Sequence, residues 1–493
     1  MKNFQNRRDF LKNSIAGISS LAFFGPSLAE AISSSAGNRK KTNVILILTD
    51  DLGWNDVGCY GQGRIKTPNI DKLARQGMRF TNAHAPTSIC TPSRFALLTG
   101  KYCWRTSLKK GVIGHKPLLI EPGSITLPSI FKQCGYQTAC IGKWHLGMRD
   151  KSTGKFDPDT HYVPPIKPGP NDIGFDYFFG LPIGHFYPPG IYMENDSIYK
   201  YDPNDPLVLA KSKEELEHGA EAARYKKDQV IGDLTKKAVE YISKNKDEQF
   251  FLYFAPSSPH DPYAPSQKFK GKSKLGDYGD FVMETDWAVG EIIKSLEKNK
   301  IDDETLIIFT SDNGGENAAN AALKEYNYNP NGKWRGDKGD IYEGALRIPF
   351  IARWPGVIKA GQKNDQLLGF NDMLATFAAM LGRDIPSVAG PDSYNVFDTF
   401  KGKQNLYPER GLILHSRGGL YAIIEGDWKY IHGQGNGERV KGGYPAPDQP
   451  AQGQLFDLKN DPYESADMYS QRPEIVNKLQ NLLKEYYVNG KSR

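Results

Sequence analysis

Five short, mainly apolar runs of strand length, at 44–49, 137–141, 250–254, 305–310 and 347–351, recur along the chain with helical stretches between them. A run that is apolar at every position, rather than at every second one, is a strand buried on both faces, as in a parallel sheet. The intervening segments carry helical periodicity. Val230, Ile231, Leu234, Ala238, Tyr241 and Ile242 form one stripe, and Val282, Val289, Ile292, Ile293 and Leu296 form another. Strands alternating with such helices predict an α/β fold: a large, mostly parallel sheet covered by helices on both faces. In sheets of this kind ligands bind beyond the carboxyl ends of the strands. Residues just after each run are therefore candidates for chemistry, and here they are Asp50, Asp51, Lys143, His145, His260, Asp312 and Asn313.

At 493 residues the chain is long enough for a large core and more than one domain. Its net charge of +6 is mild, with no basic run of the kind that grips nucleic acid. The N-terminus reads as an address. Arg7-Arg8-Asp9-Phe10-Leu11-Lys12, the apolar stretch 15–24 and Ala29-Glu30-Ala31 make a twin-arginine type leader over 1–31, implying the twin-arginine export machinery and a periplasmic or secreted, bacterial location. Its apolar part is too short to span a bilayer comfortably, and no later segment offers stable membrane insertion. A Ser/Lys-rich linker would follow at 32–42, a catalytic domain at 43–400, and a smaller C-terminal α+β subdomain with a small antiparallel sheet and terminal helix at 401–493. Irregular Pro-rich loops between about 150 and 228 are expected to shape a binding site. The five cysteines, an odd number without regular spacing, do not make a disulfide framework.

The candidate residues have a coherent chemistry. Adjacent carboxylates at Asp50 and Asp51 repel unless a cation lies between them. With Asp312 and Asn313 they offer only oxygen donors, which suits Ca²⁺, with Mg²⁺ second, over zinc. Lys143, Lys338 and Arg94 bring positive charge for a tetrahedral oxyanion, and His145 and His260 are proton-transfer candidates. In Cys90-Thr91-Pro92-Ser93-Arg94, Pro92 suits the first turn of a helix that Gly100 would end. Cys90 then sits at a helix N-terminus, where a thiol can be activated as thiolate.

That pentapeptide resembles the sulfatase signature Cys-x-Pro-Ser-Arg. The paired aspartates, Gly142-Lys143-Trp144-His145-Leu146-Gly147, Ser258-Pro259-His260, Ser311-Asp312-Asn313-Gly314 and Lys338-Gly339 through Glu343-Gly344 are similar to further motifs of the family, in family order. The resemblance implies the alkaline-phosphatase superfamily fold and a sulfuric ester hydrolase. It also implies that a formylglycine-generating maturation enzyme oxidises Cys90 to formylglycine. Carried over, Asp50, Asp51, Asp312, Asn313 and residue 90 would bind Ca²⁺. A hydroxyl of the hydrated aldehyde would attack sulfur, and the second would expel sulfate with His145 as base. Lys143 and Lys338 would hold sulfate oxygens, Arg94 would orient the hydrate, and His260 would serve the leaving oxygen.

The substrate expected from the resemblance is a sulfated oligosaccharide, attacked from its end, with a lean toward 6-O-sulfated galactose or N-acetylgalactosamine. Trp104, Arg105, His185, Tyr187, Trp334 and Arg335 are candidate subsite residues. Two alternatives stay open at this point: a phosphodiester or phosphonate monoester hydrolase using the same motif, and a non-catalytic binder of sulfated glycans.

Overall fold

The computed structural model describes residues 42–61, 63–149, 161–210, 218–316 and 321–493. The leader, the linker except its last residue, and parts of the Pro-rich insertion lie outside the described residues. In chain order the strands are β1 Asn43–Thr49, β2 Met78–Phe80, β3 Ala83–His84, β4 Gln137–Lys143, β5 Tyr177–Leu181, β6 Met193–Glu194, β7 Ser197–Ile198 and β8 Phe250–Ala255. They continue with β9 Thr305–Ser311, β10 Phe350–Arg353, β11 Gln362–Asn364, β12 Leu368–Gly369, β13 Leu412–His415, β14 Tyr421–Glu425, β15 Trp428–Ile431 and β16 Gln454–Asp457.

Ten of these strands form one sheet in the order β11-β2-β10-β9-β1-β8-β4-β5-β6-β7. The middle of it, β9-β1-β8-β4-β5, is parallel throughout, and antiparallel pairs occur toward both margins. The apolar runs follow the pleat. Val44, Leu46 and Leu48 of β1 enter the core on one face, and Ile45 and Ile47 enter the other. Leu306 and Ile308 of β9 likewise oppose Ile307 and Phe309. The helices Cys90–Thr99, Leu127–Gln133 and Met373–Met380 cover the first face; Pro68–Gln76, Val230–Lys244 and Gly276–Asn299 cover the second. Each buried Leu, Ile or Phe contributes roughly 1.5–3 kcal/mol, so both sides of the sheet are held strongly. The fold is the mostly parallel, doubly covered α/β sheet that the apolar runs predict.

Two local expectations shift. Lys143 closes β4 itself rather than lying on the loop after it. The run at 347–351 becomes a strand only from Phe350, because Arg347 donates its amide to Glu343 at the end of a helical turn, and Pro349 has no amide to give a ladder.

The strands β13-β14-β15-β16 form a separate antiparallel sheet in that order. The helix Pro473–Val488 lays Val476, Leu479 and Leu483 onto it, against Ile423, Tyr430 and Leu455. A buried ionic network crosses from this sheet to the rest: Lys429 of β15 reaches Glu343 at 3.0 Å and Glu464 at 2.8 Å. Glu343 also binds His84 at 2.9 Å and Arg347 at 2.7 Å. The expected boundary near residue 400 falls within the short helix Phe397–Lys401.

Candidate active site

Four neighbouring parallel strands, β9, β1, β8 and β4, deliver the candidates to one edge. Asp312 and Asn313 follow β9, Asp50 and Asp51 follow β1, Ser257 to His260 follow β8, and Lys143 to His145 end β4. Asp51 and His145 both take left-handed backbone conformations, with φ of 63° and 58°, which turn the chain sharply at the strand ends. The helix Cys90–Thr99 brings Cys90 in from one face. Thr91 Oγ1 donates to the His145 carbonyl at 3.0 Å and Ser93 Oγ to the Thr87 carbonyl at 2.6 Å, pinning its first turn. The helix ends at Gly100, which adopts φ 63°, as its position suggested.

The charges interlock. Lys143 Nζ donates to both oxygens of Asp50 at 2.8 Å, and Lys338 Nζ donates to Asp51 at 2.6 Å. Burial opposes ionisation of Asp50, yet Lys143, His260, Arg94 and Lys338 together hold it well below the usual carboxylate range. Asp51 is also lowered: burial opposes this, and Lys338 and His260 outweigh it. At Asp312 burial wins and pushes the carboxyl up to about 7, although Arg94 donates to it through Nε and Nη2 at 3.0 and 2.7 Å.

Burial pushes the Cys90 thiol up, with Asp312 and Asp50 adding to it against Lys143. An activated thiolate, expected from the helix N-terminus alone, is therefore not what this environment favours. Arg94 reaches past Cys90 to Asp312 and to Asp50 at 3.5 Å, so its guanidinium braces carboxylates. His145 Nε2 must be the protonated nitrogen, because it faces the Ile113 carbonyl at 2.8 Å. Its Nδ1 is buried with no hydrogen-bond partner among the described residues. Burial, with Lys143 and Arg94, keeps this imidazole neutral, leaving Nδ1 as a proton acceptor. His260 stacks on Phe186 at 4.0 Å, donates Nδ1 toward the Asp261 carbonyl, and takes a hydrogen bond at Nε2 from Lys338 at 2.9 Å.

A divalent cation fits these residues. The ligand atoms of Asp50, Asp51, Cys90 and His260 all lie within 4.8 Å of one another. Asn313 donates its Nδ2 to Asp51 at 2.7 Å, and its Oδ1 is buried without a partner among the described residues. An orphaned amide oxygen on a residue hydrogen-bonded to Asp51, next to the paired carboxylates of Asp50 and Asp51, is the donor chemistry of a hard cation.

A cavity of about 510 Å³ opens onto Cys90, His145, His260 and Lys338. Of the six candidate subsite residues, Tyr187 lines it. His185 stands behind it: its Nδ1 lies 3.0 Å from Ser257 Oγ, which donates to Asp50 at 3.3 Å. Trp104 instead stacks between Tyr102 and Tyr487 in the core under the small sheet. Arg105 is held in a two-pronged pair with Asp392 at 2.8 and 2.9 Å. Trp334 packs edge-on against Trp54, and Arg335 lies over Tyr342 at 3.8 Å while donating to the Glu464 carbonyl. These four side chains have partners of their own away from the cavity wall. The residues that sequence reasoning missed are Phe186, Ser257, Arg417, Glu438 and Arg439. Ser257 directly precedes the Ser258-Pro259-His260 motif. The last three carry no local signal, because only the tertiary fold brings them here.

The sulfatase family model matches residues 42–383. The chain is 36% identical to an N-acetylgalactosamine-6-O-sulfatase of Bacteroides thetaiotaomicron, covering 90% of this chain and 93% of that protein. It is 30% identical to human arylsulfatase A, covering 92% of this chain and 90% of that one. Among solved structures, one from work on the metabolism of multiple glycosaminoglycans by Bacteroides thetaiotaomicron superposes with a TM-score of 0.82 at 34% identity. It covers 91% of this chain and 100% of that one.

Proposed function

Because the chain belongs to the sulfatase family, we propose that it removes 6-O-sulfate from a terminal galactose or N-acetylgalactosamine of a sulfated glycan, with Cys90 as its formylglycine precursor. It is a sulfuric ester hydrolase that desulfates sulfated glycans. The observation that carries the site assignment is the convergence of Cys90, Lys338, His145 and His260 on one cavity. The lean toward the 6-O position rests on the name of the B. thetaiotaomicron relative, which aligns over nearly the whole chain.

Asp50, Asp51, Asp312 and Asn313 would hold Ca²⁺, which would supply positive charge to the nucleophile and to a sulfate oxygen. Formylglycine at residue 90 would supply a hydrated aldehyde, and with it the attacking hydroxyl. The remaining work falls to the chain's own side chains. Lys143 and Lys338 donate N–H bonds to sulfate oxygens, stabilising charge that grows in the transition state. Lys338 and His260, already hydrogen-bonded to each other, hold a proton beside the leaving sugar oxygen. His145 accepts a proton at Nδ1, the atom that its bond to Ile113 leaves open. Phe186, stacked on His260, fixes that ring. The leader supports export by the twin-arginine route to the periplasm or beyond, after maturation of Cys90 by a formylglycine-generating enzyme.

The test is sulfate release by protein co-produced with that maturation enzyme, on galactose and N-acetylgalactosamine sulfated at single positions, beside a phosphodiester and a phosphonate ester. Release from the 6-O-sulfated sugars, lost in Cys90→Ala, is expected. Release from another position discards the lean, and turnover of only the phosphorus esters overturns the reading.

A further inference from the structure

The small C-terminal sheet adds a second set of charges to the mouth of the catalytic cavity. Arg417 follows β13, and Glu438 and Arg439 lie on the loop between β15 and β16; all three line the same cavity as Cys90, His260 and Lys338. The backbone of Arg417 is fixed between two site loops. Its amide donates to the Gly339 carbonyl at 3.0 Å, and its carbonyl accepts from the Gly111 amide at 3.1 Å. Both glycines make room for guanidinium groups. A Cβ on Gly339 would come within 3.1 Å of the Arg417 guanidinium carbon, and one on Gly111 within 2.9 Å of Arg439 Nη2. In both glycines φ is positive, at 103° and 74°, a conformation that by itself favours glycine.

Neither guanidinium pairs with a carboxylate within 4 Å among the described residues. Arg94, at the catalytic carboxylates, behaves differently, being committed to Asp312. Arg417 acts on the Asp340 carboxyl only from beyond ion-pair distance, so the two guanidinium groups at this cavity still present forked donors suited to an oxyanion. Glu438, on the same cavity wall, leaves this set of three with one net positive charge and offers an acceptor for sugar hydroxyls. The function proposed above assigns the scissile sulfate to Lys143 and Lys338, of which Lys338 lines the same cavity.

We propose that Arg417 and Arg439 form a second oxyanion subsite, so that the preferred substrate carries another anionic group, a second sulfate or a neighbouring uronate carboxylate, beside the sulfate that is removed. The proposal rests on the sulfatase reading above and names the class of glycan it acts on.

The test compares kcat/KM for three sugars that share the sulfate being released: one otherwise neutral, one with a second sulfate, and one linked to a uronate. The wild type is expected to favour at least one doubly anionic sugar over the neutral one by tenfold or more, and that arm identifies the source of the anion. Arg417→Ala and Arg439→Ala should each shrink this ratio at least fivefold through KM, with Arg417→Lys retaining part of it. A wild-type ratio near one, or a ratio unchanged in both alanine variants, overturns the proposal. The same three sugars are titrated calorimetrically into full-length Cys90→Ala, where the ratio of Kd values makes the same comparison without turnover. Failure to release sulfate from any sugar would instead count against the function proposed above, and the two failures are thereby separable.

Discussion

Glu343→Gln should be among the most damaging single changes outside the cavity. Glu343 is fully buried and accepts from His84 at 2.9 Å, Arg347 at 2.7 Å and Lys429 at 3.0 Å. It lies one turn beyond the Lys338 loop and links β3, the helical turn Glu343–Leu346 and β15. Glutamine keeps the shape but removes the charge, leaving buried cations short of a counter-ion. Breaking a buried ion pair in this way costs about 3–5 kcal/mol. With an unfolding entropy of about 2 cal/mol/K per residue, a chain of this length should lose roughly 3–5 °C in Tm.

The pH dependence has a definite sign. Burial opposes ionisation of Glu343, but Lys429, His84 and Arg347 overcome it and hold the carboxyl well below its ordinary value. A lowered carboxylate contributes stability above its unfolded value of about 4.3 and loses it as pH falls through the folded value. The gap between wild type and variant should therefore be full at pH 7 and narrow below about pH 4. Lys429→Met in the Glu343→Gln background should cost less than the sum of the single changes, by about 1–3 kcal/mol, because the two groups are in contact. The measurement is calorimetric unfolding of the four proteins between pH 3.5 and 7.5. A loss under about 1 kcal/mol for Glu343→Gln at pH 7, or additivity in the cycle, would refute an ionic latch between the two sheets.

Chelation with EDTA should abolish sulfate release, and added Ca²⁺ should restore it better than Mg²⁺; at a hundredfold excess over Kd the ion should stabilise the fold by about 2.7 kcal/mol, read as a rise in Tm. A chelated, metal-free protein that keeps its turnover would refute the hard-cation assignment. His145→Ala should lower kcat by about 10²–10⁴ with KM changed only a few-fold, since Nδ1 moves a proton rather than holding the ground state; a loss confined to KM would contradict that role. Arg105→Ala should destabilise the protein by about 3–5 kcal/mol through the stranded Asp392, with KM unchanged. A tenfold rise in KM without destabilisation would return Arg105 to the substrate.

Legibility from sequence followed the range of the interactions involved. The strands β1, β8 and β9 are readable because burial on both faces makes their central residues apolar in unbroken runs, and the pleat sends Ile45 and Leu46 to opposite cores. Once they are parallel neighbours, their ends must share an edge, which is why Asp50, His260 and Asp312 meet although they lie far apart along the chain. The roles of individual atoms were less accessible. Arg94 one helical turn from Cys90 could face the thiol or pass it, and only the position of Asp312, 2.7 Å from its Nη2, decides between them. Tyr187 reaches the cavity, whereas two of the other residues proposed as sugar contacts lie away from it for a common reason. Trp104 and Arg105 satisfy each other and Asp392 at a joint between core and small sheet, where large amphipathic side chains pack as readily as they bind sugars.

Specificity is hidden from the sequence for the same physical reason. Asp50, Asp51, Lys143, His260, Asp312 and Asn313 lie at the ends of the central parallel strands and so inherit a pattern, whereas Arg417 and Arg439 come from the separate small sheet that follows those strands in sequence. Nothing periodic marks them. Their only trace nearby is two glycines, Gly111 and Gly339, whose missing side chains clear the guanidinium groups. The ionic network through Glu343 and Lys429 holds that sheet in place, so loosening it should disturb the arginines before it disturbs Cys90. Glu343→Gln ought therefore to erode preference for a doubly anionic sugar more than turnover of a neutral one. Equal loss of both would mean that the latch and the cavity mouth are mechanically independent.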